Sequence, residues 1–125
     1  MAGEWKYLLR AVRAAKRENR DLRGYAIGAV AIRSDGAIVQ SRNGAATYVN
    51  FRIHAEQRLM QKCDSNAVVF VARVRRNGEL AIARPCVRCM AALKARRVKK
   101  CYYTIANNEY GVIDFRREEE RNYVQ

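Results

Sequence analysis

Three residues of metal-ligating type and one carboxylate, split between two short stretches, constrain this chain more than any other feature. His54-Ala55-Glu56 supplies an imidazole and a carboxylate, and Arg84-Pro85-Cys86-Val87-Arg88-Cys89 supplies two thiols. Two thiolates and one imidazole suit a tetrahedral zinc with its fourth position open, which separates catalytic zinc from closed structural zinc. In such a site the metal lends Lewis acidity to water. Glu56, two residues from His54, is suited to take a proton from that water and return it to a leaving group. A C-x-x-C pair alone can also be a redox motif or half of a closed zinc site. Closure needs a fourth ligand, however, and the chain has one His and two further cysteines, Cys63 and Cys101, neither in a paired motif. The joint pattern is much rarer than either half, and it favours catalysis.

The rest of the chain reads as one α/β domain over residues 1–125, long enough for one real core. Residues 4–20 read as a helix in which Trp5, Leu8, Leu9 and Val12 form the buried stripe. Arg10, Arg13, Lys16, Arg17 and Arg20 make its other face basic. Tyr25–Ile32 has the apolar pattern of a strand covered on both faces, and Gly28 inside it suggests close approach by another backbone. Ser34-Asp35-Gly36 is a hairpin signal, returning through Ala37–Ser41. A loop with Tyr48 and Phe51 leads to a helix over Ile53–Lys62 that carries His54 in its first turn. Residues i and i+2 do not share a helical face, so His54 and Glu56 can meet one metal only if the helix end points at it.

Ala67–Val74 reads as a central strand. Pro85 suits the start of a helix on which Cys86 and Cys89 lie i and i+3 on one face, and a helix N-terminus is electrostatically suited to negatively charged sulfur. Val98–Ile105 and Gly111–Phe115 are the last strands. A parallel crossover takes about a dozen residues or more, so the short turn between them makes these two strands antiparallel. Arg116–Gln125 reads as a short helix or a frayed end. The sum is a five-stranded mixed sheet flanked by helices.

The order and spacing of His54-Ala55-Glu56 and Pro85-Cys86-x-x-Cys89 resemble the signature of the zinc-dependent cytidine/deoxycytidylate deaminase family. The resemblance implies that family's three-layer fold and one zinc per chain. It implies His54, Cys86 and Cys89 as ligands and Glu56 as the general acid/base. It also makes Asn43 a candidate contact to the substrate's sugar, although an Asn-Gly turn without a ligand explains Asn43-Gly44 about as well. The Ala55 backbone would help position a cytosine ring, which Tyr48, Phe51 or Tyr110 would wall.

The substrate is a cytosine nucleoside or nucleotide on one reading, because the hairpin of the last two strands resembles enzymes acting on free cytidine. His54, where those enzymes usually carry Cys, is nearer the nucleotide and nucleic-acid branches, and Val87-Arg88 does not match their Gly-containing second motif. Gln57-Arg58-Leu59 departs in turn from the deoxycytidylate enzymes, which tend to have Asn-Ala after the Glu. The net charge of +13 makes a cytosine in single-stranded DNA or RNA the alternative, with a non-catalytic, zinc-stabilised nucleic-acid-binding module behind it. The same charge is also compatible with solvated helix faces. Four cysteines without an apolar leader point to a reducing cytoplasm, and no run is long enough to span a membrane. A homo-oligomer is expected from the family resemblance.

Overall fold

A computed structural model describes residues 2–16, 25–42 and 65–125. In chain order the described elements are α1 (Ala2–Lys16), β1 (Tyr25–Ile32), β2 (Ile38–Arg42), β3 (Val68–Arg75) and β4 (Leu80–Ala81). They are followed by α2 (Val87–Ala95), β5 (Lys100–Ala106), β6 (Glu109–Asp114) and β7 (Glu119–Val124). The helix expected over residues 53–62, and residues 17–20 of the first, lie outside the described residues.

All described strands belong to one mixed sheet in the order β2-β1-β3-β5-β6-β7, with the short β4 paired to β3. The β3–β5 pair is parallel and the others are antiparallel. Among the described residues there are thus seven strands rather than five. The five expected strands are present, close to the expected bounds, and the last two of them form the antiparallel hairpin β5–β6 around Asn107-Asn108. The turn after β1 also forms as its residues suggest. Arg33 N–H donates to Ala37 O at 2.8 Å, and Gly36 takes φ +88°, which glycine adopts at no steric cost.

Strand alternation divides the apolar residues between two faces. One cluster holds Ile27, Ala29, Val69, Val71, Cys101, Tyr103 and Ile113 with Leu93 of α2. The other holds Val30, Phe70, Ala72, Val74, Tyr102 and Tyr110 with Leu8, Ala11, Val12 and Ala15 of α1. The two helices therefore cover opposite faces of the sheet, and β1 and β3 contribute to both clusters, as their nearly uninterrupted apolar runs require.

The stripe of α1 differs from the expected one. Leu8, Ala11, Val12 and Ala15 point into the core, whereas Leu9 is 37 % exposed. The reason lies in β1. A Cβ on Gly28 would fall 2.2 Å from Ala11 O and 2.5 Å from Ala15 N. The helix rests directly on the strand there, so its contact residues have to be small, and the larger Leu9 is rotated outward.

Strand β5 begins two residues later than the alternation suggests, because Val98 completes the end of α2. Arg97 N–H donates to Lys94 O and Val98 N–H to Leu93 O, both at 3.0 Å, with Arg97 at φ +58°. This is a Schellman cap with arginine where glycine is usual. Arg97→Gly should raise the unfolding free energy by about 0.5 kcal/mol, because the left-handed conformation costs an L-residue about 1–2 kcal/mol and glycine returns part of that gain as backbone entropy. Urea titration is the check, and a lower midpoint would contradict the capping argument.

The charged C-terminus corrects another expectation. In place of a helix or a frayed end, Glu119–Val124 forms β7, paired to β6 from Asp114↔Glu119 to Glu109↔Val124. Every side chain of β7 is exposed, so the segment lacks the apolar alternation by which strands are read. Backbone pairing and two side chains hold it instead. Tyr123 stacks on Tyr110 with ring centroids 5.4 Å apart, and Glu120 reaches Arg84. No helix among the described residues is long and apolar enough to cross a membrane.

Candidate metal and catalytic site

The segment that delivers the two cysteines is secured from several directions before it reaches them. Leu80 and Ala81 pair with Val74 and Arg73 near the end of β3. Ala83 N–H donates to Thr104 O at 2.8 Å, and the fully buried Thr104 hydroxyl donates to Ala81 O at 2.8 Å and accepts from Arg73 N–H at 3.2 Å. The chain thus crosses the late residues of the parallel strands β3 and β5, the end of an α/β sheet at which ligands usually bind. Pro85 is fully buried, and Cys86 follows as the N-cap of α2 with φ −71° and ψ 172°.

Cys86 makes no capping hydrogen bond through its side chain, although its carbonyl accepts from Met90 N–H at 2.8 Å. Cys89, one turn on, is 3 % exposed. The two are not joined in a disulfide. The first turn of α2 carries no acidic residue, so no carboxylate of the helix itself competes with sulfur for its positive end. This donor pair suits zinc. Among the described residues no group of three potential ligands converges. The expected third ligand, His54, lies outside them, as do Glu56, Ala55, Asn43, Tyr48, Phe51 and Cys63. Cys101 is buried on β5, in the α2-side cluster, which agrees with a packing role.

Tyr110 departs from its expected place. It is 3 % exposed in the α1-side cluster, with ring centroids 5.7 Å from Trp5 and 6.3 Å from Tyr102. The alternation of β6 directs it away from the face that carries α2, so the structure does not bring it to the cysteines. Its hydroxyl pKa is raised by burial and by nearby Glu4, as in Tyr102, where the same causes push the value to about 12. Both remain neutral phenols at physiological pH.

A charged cluster beside the site was not foreseen. Arg84, immediately before Pro85-Cys86, donates from Nε to Glu120 Oε2 at 2.8 Å and from Nη2 to Glu120 Oε1 at 2.9 Å. The Tyr103 hydroxyl donates to the same Oε2. The hydrogen bond from Arg84 outweighs partial burial and, with that from Tyr103, holds the Glu120 carboxyl below its usual range. The Arg84 pKa rises in return, chiefly through the same bond. Burial first, and the bond to Glu120 second, raise that of Tyr103. Arg84 was visible in the motif, but Glu120 sits in a Glu118-Glu119-Glu120 run that reads as solvated charge. No local signal distinguishes it from its neighbours.

A family model described as the cytidine and deoxycytidylate deaminase zinc-binding region matches residues 2–105, a span that includes both motifs. The chain belongs to that family. A search of curated proteins returned no match. Among solved structures, cytidine deaminase from Mycobacterium leprae is similar with a TM-score of 0.57 at 19% identity, covering 90% of this chain and 94% of that one. Cytidine deaminase from Mycobacterium tuberculosis is similar with a TM-score of 0.53 at 20% identity, covering 80% and 83%. At this identity the likeness shows the fold. Family membership and fold together support a zinc-dependent deaminase.

Proposed function

We propose that this member of the deaminase family hydrolyses cytosine to uracil in a (deoxy)cytidine nucleoside or nucleotide, with His54, Cys86 and Cys89 holding one zinc per chain. The observation that carries the reading is the pair of cysteines at the start of α2, not joined in a disulfide, inside the matched zinc-binding region. Bound zinc would supply the Lewis acidity that makes water nucleophilic near neutral pH. Glu56 takes a proton from the attacking water as the new C–O bond forms at C4. It passes that proton to the ring nitrogen, then moves the second water proton from the new C4 hydroxyl to the amine, so that C4=O forms, the C4–N bond breaks and ammonia leaves. The Ala55 backbone, Asn43, Tyr48 and Phe51 orient base and sugar. The reading includes a homo-oligomer, on family grounds, and a cytoplasmic location, on the cysteine content.

The two-residue turn of the β5–β6 hairpin, which resembles enzymes acting on free cytidine, supports a free nucleoside. A second reading, cytosine in single-stranded DNA or RNA, is supported by the exposed Lys6, Arg13 and Lys16 on α1 and Arg88, Lys94, Arg96 and Arg97 on and after α2, within a net charge of +13. Ammonia release from cytidine, deoxycytidine, their monophosphates and a cytosine-bearing oligonucleotide, at low and moderate salt, separates the two. Turnover of monomers that salt barely changes is the expected result. Turnover of the oligonucleotide alone, falling steeply with salt, would replace the first reading by the second.

A further inference from the structure

We propose that Glu120 and Arg84 are positioning residues that brace the Cys86–Cys89 segment for the metal, so that β7 serves as a strut for the zinc site. The inference rests on the deaminase reading for the zinc itself and on the geometry for the rest.

Exposed ion pairs ordinarily contribute little, because water screens them and two long side chains must be ordered to form them. The Arg84–Glu120 pair departs from that pattern in three ways. It is bidentate, with both N–O distances below 3.0 Å. The Tyr103 hydroxyl, on a buried side chain of β5, donates to the same carboxylate and holds it from a third direction. Glu120 itself is set by β7, through its register opposite Ile113 and the neighbouring Tyr123–Tyr110 stack. The guanidinium is therefore held by a carboxylate that the sheet has already placed.

The path from Arg84 to Cys86 is short and stiff. Pro85 stands between them with its φ locked by the ring, and it restricts the backbone of Arg84 as well. Pro85 is fully buried, and Ala83 on the other side is bonded to Thr104 O. Little torsional freedom is left between the clamped side chain and Cys86 of α2. Cys86 has no side-chain bond of its own within the cap, so this anchored approach sets where its sulfur lies. The carboxylate of the brace, Glu120, lies beyond residue 105, where the match to the family's zinc-binding region ends, whereas Arg84 and Tyr103 lie within that match.

The test is zinc release from the loaded full-length protein to a chromogenic chelator, together with kcat and KM on the best substrate. Glu120→Ala should release zinc faster by about 3-fold to 10-fold, less than the 10–100-fold typical of partners bonded directly to metal ligands. Its kcat should fall while KM stays within about 2-fold, because a misplaced metal ligand affects the chemistry more than ground-state binding. Arg121→Ala, which removes the 3.7 Å ion pair to Glu119 on the same strand, should release zinc as the parent does. The charge-swapped double variant Arg84→Glu/Glu120→Arg should recover most of the loss. Should Glu120→Ala fold poorly, Glu120→Gln keeps the side chain's size and one acceptor for Tyr103, and should show the same direction of change. Parent-like release in both Glu120 variants, even with a lowered melting midpoint, would overturn the brace and leave the deaminase reading standing. A parent protein that takes up no zinc would overturn both.

Discussion

Glu56→Ala should keep one zinc per chain while lowering turnover of every cytosine substrate by about 10²–10⁴-fold, the usual contribution of a general acid/base. The separation of the two effects follows from the division of roles. In the proposed site His54, Cys86 and Cys89 would complete the protein's share of an open tetrahedral centre without the carboxylate, so its loss should leave affinity for the metal in place. Proton transfer has no such reserve. In the proposed mechanism the same group acts when water is deprotonated, when the ring nitrogen is protonated and when ammonia departs. Zinc content measured by atomic emission, beside ammonia release, reads both quantities on one preparation. Parent-like turnover would overturn the mechanism, and loss of zinc would instead make Glu56 a ligand. Either result is distinct from failure of the brace, which changes the rate of zinc release while Glu56 is intact.

Gly28→Ala should have the largest effect on stability of any single added methyl group in the described core. The new Cβ would lie 2.2 Å from Ala11 O and 2.5 Å from Ala15 N, both main-chain atoms of α1. A flexible side chain could turn aside, but a helix backbone can only move as a body. Such movement would separate Leu8, Ala11, Val12 and Ala15 from Val30, Phe70 and Ala72. Overpacking a core costs about 1–3 kcal/mol, and a clash with a main chain belongs at the upper end. The reduced entropy of the unfolded chain returns about 0.4–1 kcal/mol. A net loss of about 2 kcal/mol is a sizeable part of a domain's 5–15 kcal/mol and should lower the thermal midpoint by about 8 °C. Truncating Ala15 to glycine should not rescue the variant, because the obstructing atoms are backbone. An unchanged midpoint in a thermal melt would show that α1 does not rest on β1 as described.

The brace and the packing of Gly28 illustrate different kinds of legibility. Gly28, inside an apolar run, is visible as a place of close approach because a strand interior gives up packing whenever it gives up a side chain. The double-faced burial of β1 and β3, the hairpin at Ser34-Asp35-Gly36 and the start of a helix after Pro85 are likewise written in neighbouring residues. Each depends on properties of a few consecutive positions: hydrophobic period, a φ that only some residues tolerate, an absent N–H. The family is legible for a related reason, since only a few residue types ligate zinc at all and the span matched by the zinc-binding region includes both motifs.

Strand β7, the outward turn of Leu9, the face on which Tyr110 lies and the Arg84–Glu120–Tyr103 cluster belong to the other kind. Glu119–Val124 has no apolar alternation, and it becomes a strand because β6 offers a free edge at the right register. Leu9 and Leu8 are interchangeable in sequence terms until Gly28 brings the helix against the sheet. Glu120 is one of three consecutive glutamates, and its neighbour Glu119 carries the same chemistry on the opposite face of the same strand. Which of them meets Arg84 is decided by pairing across the sheet, between residues 36 positions apart. Local composition reports what a residue can do. Register and the approach of distant elements settle which partner it meets, because those depend on the sum of long-range contacts rather than on any short stretch of chain.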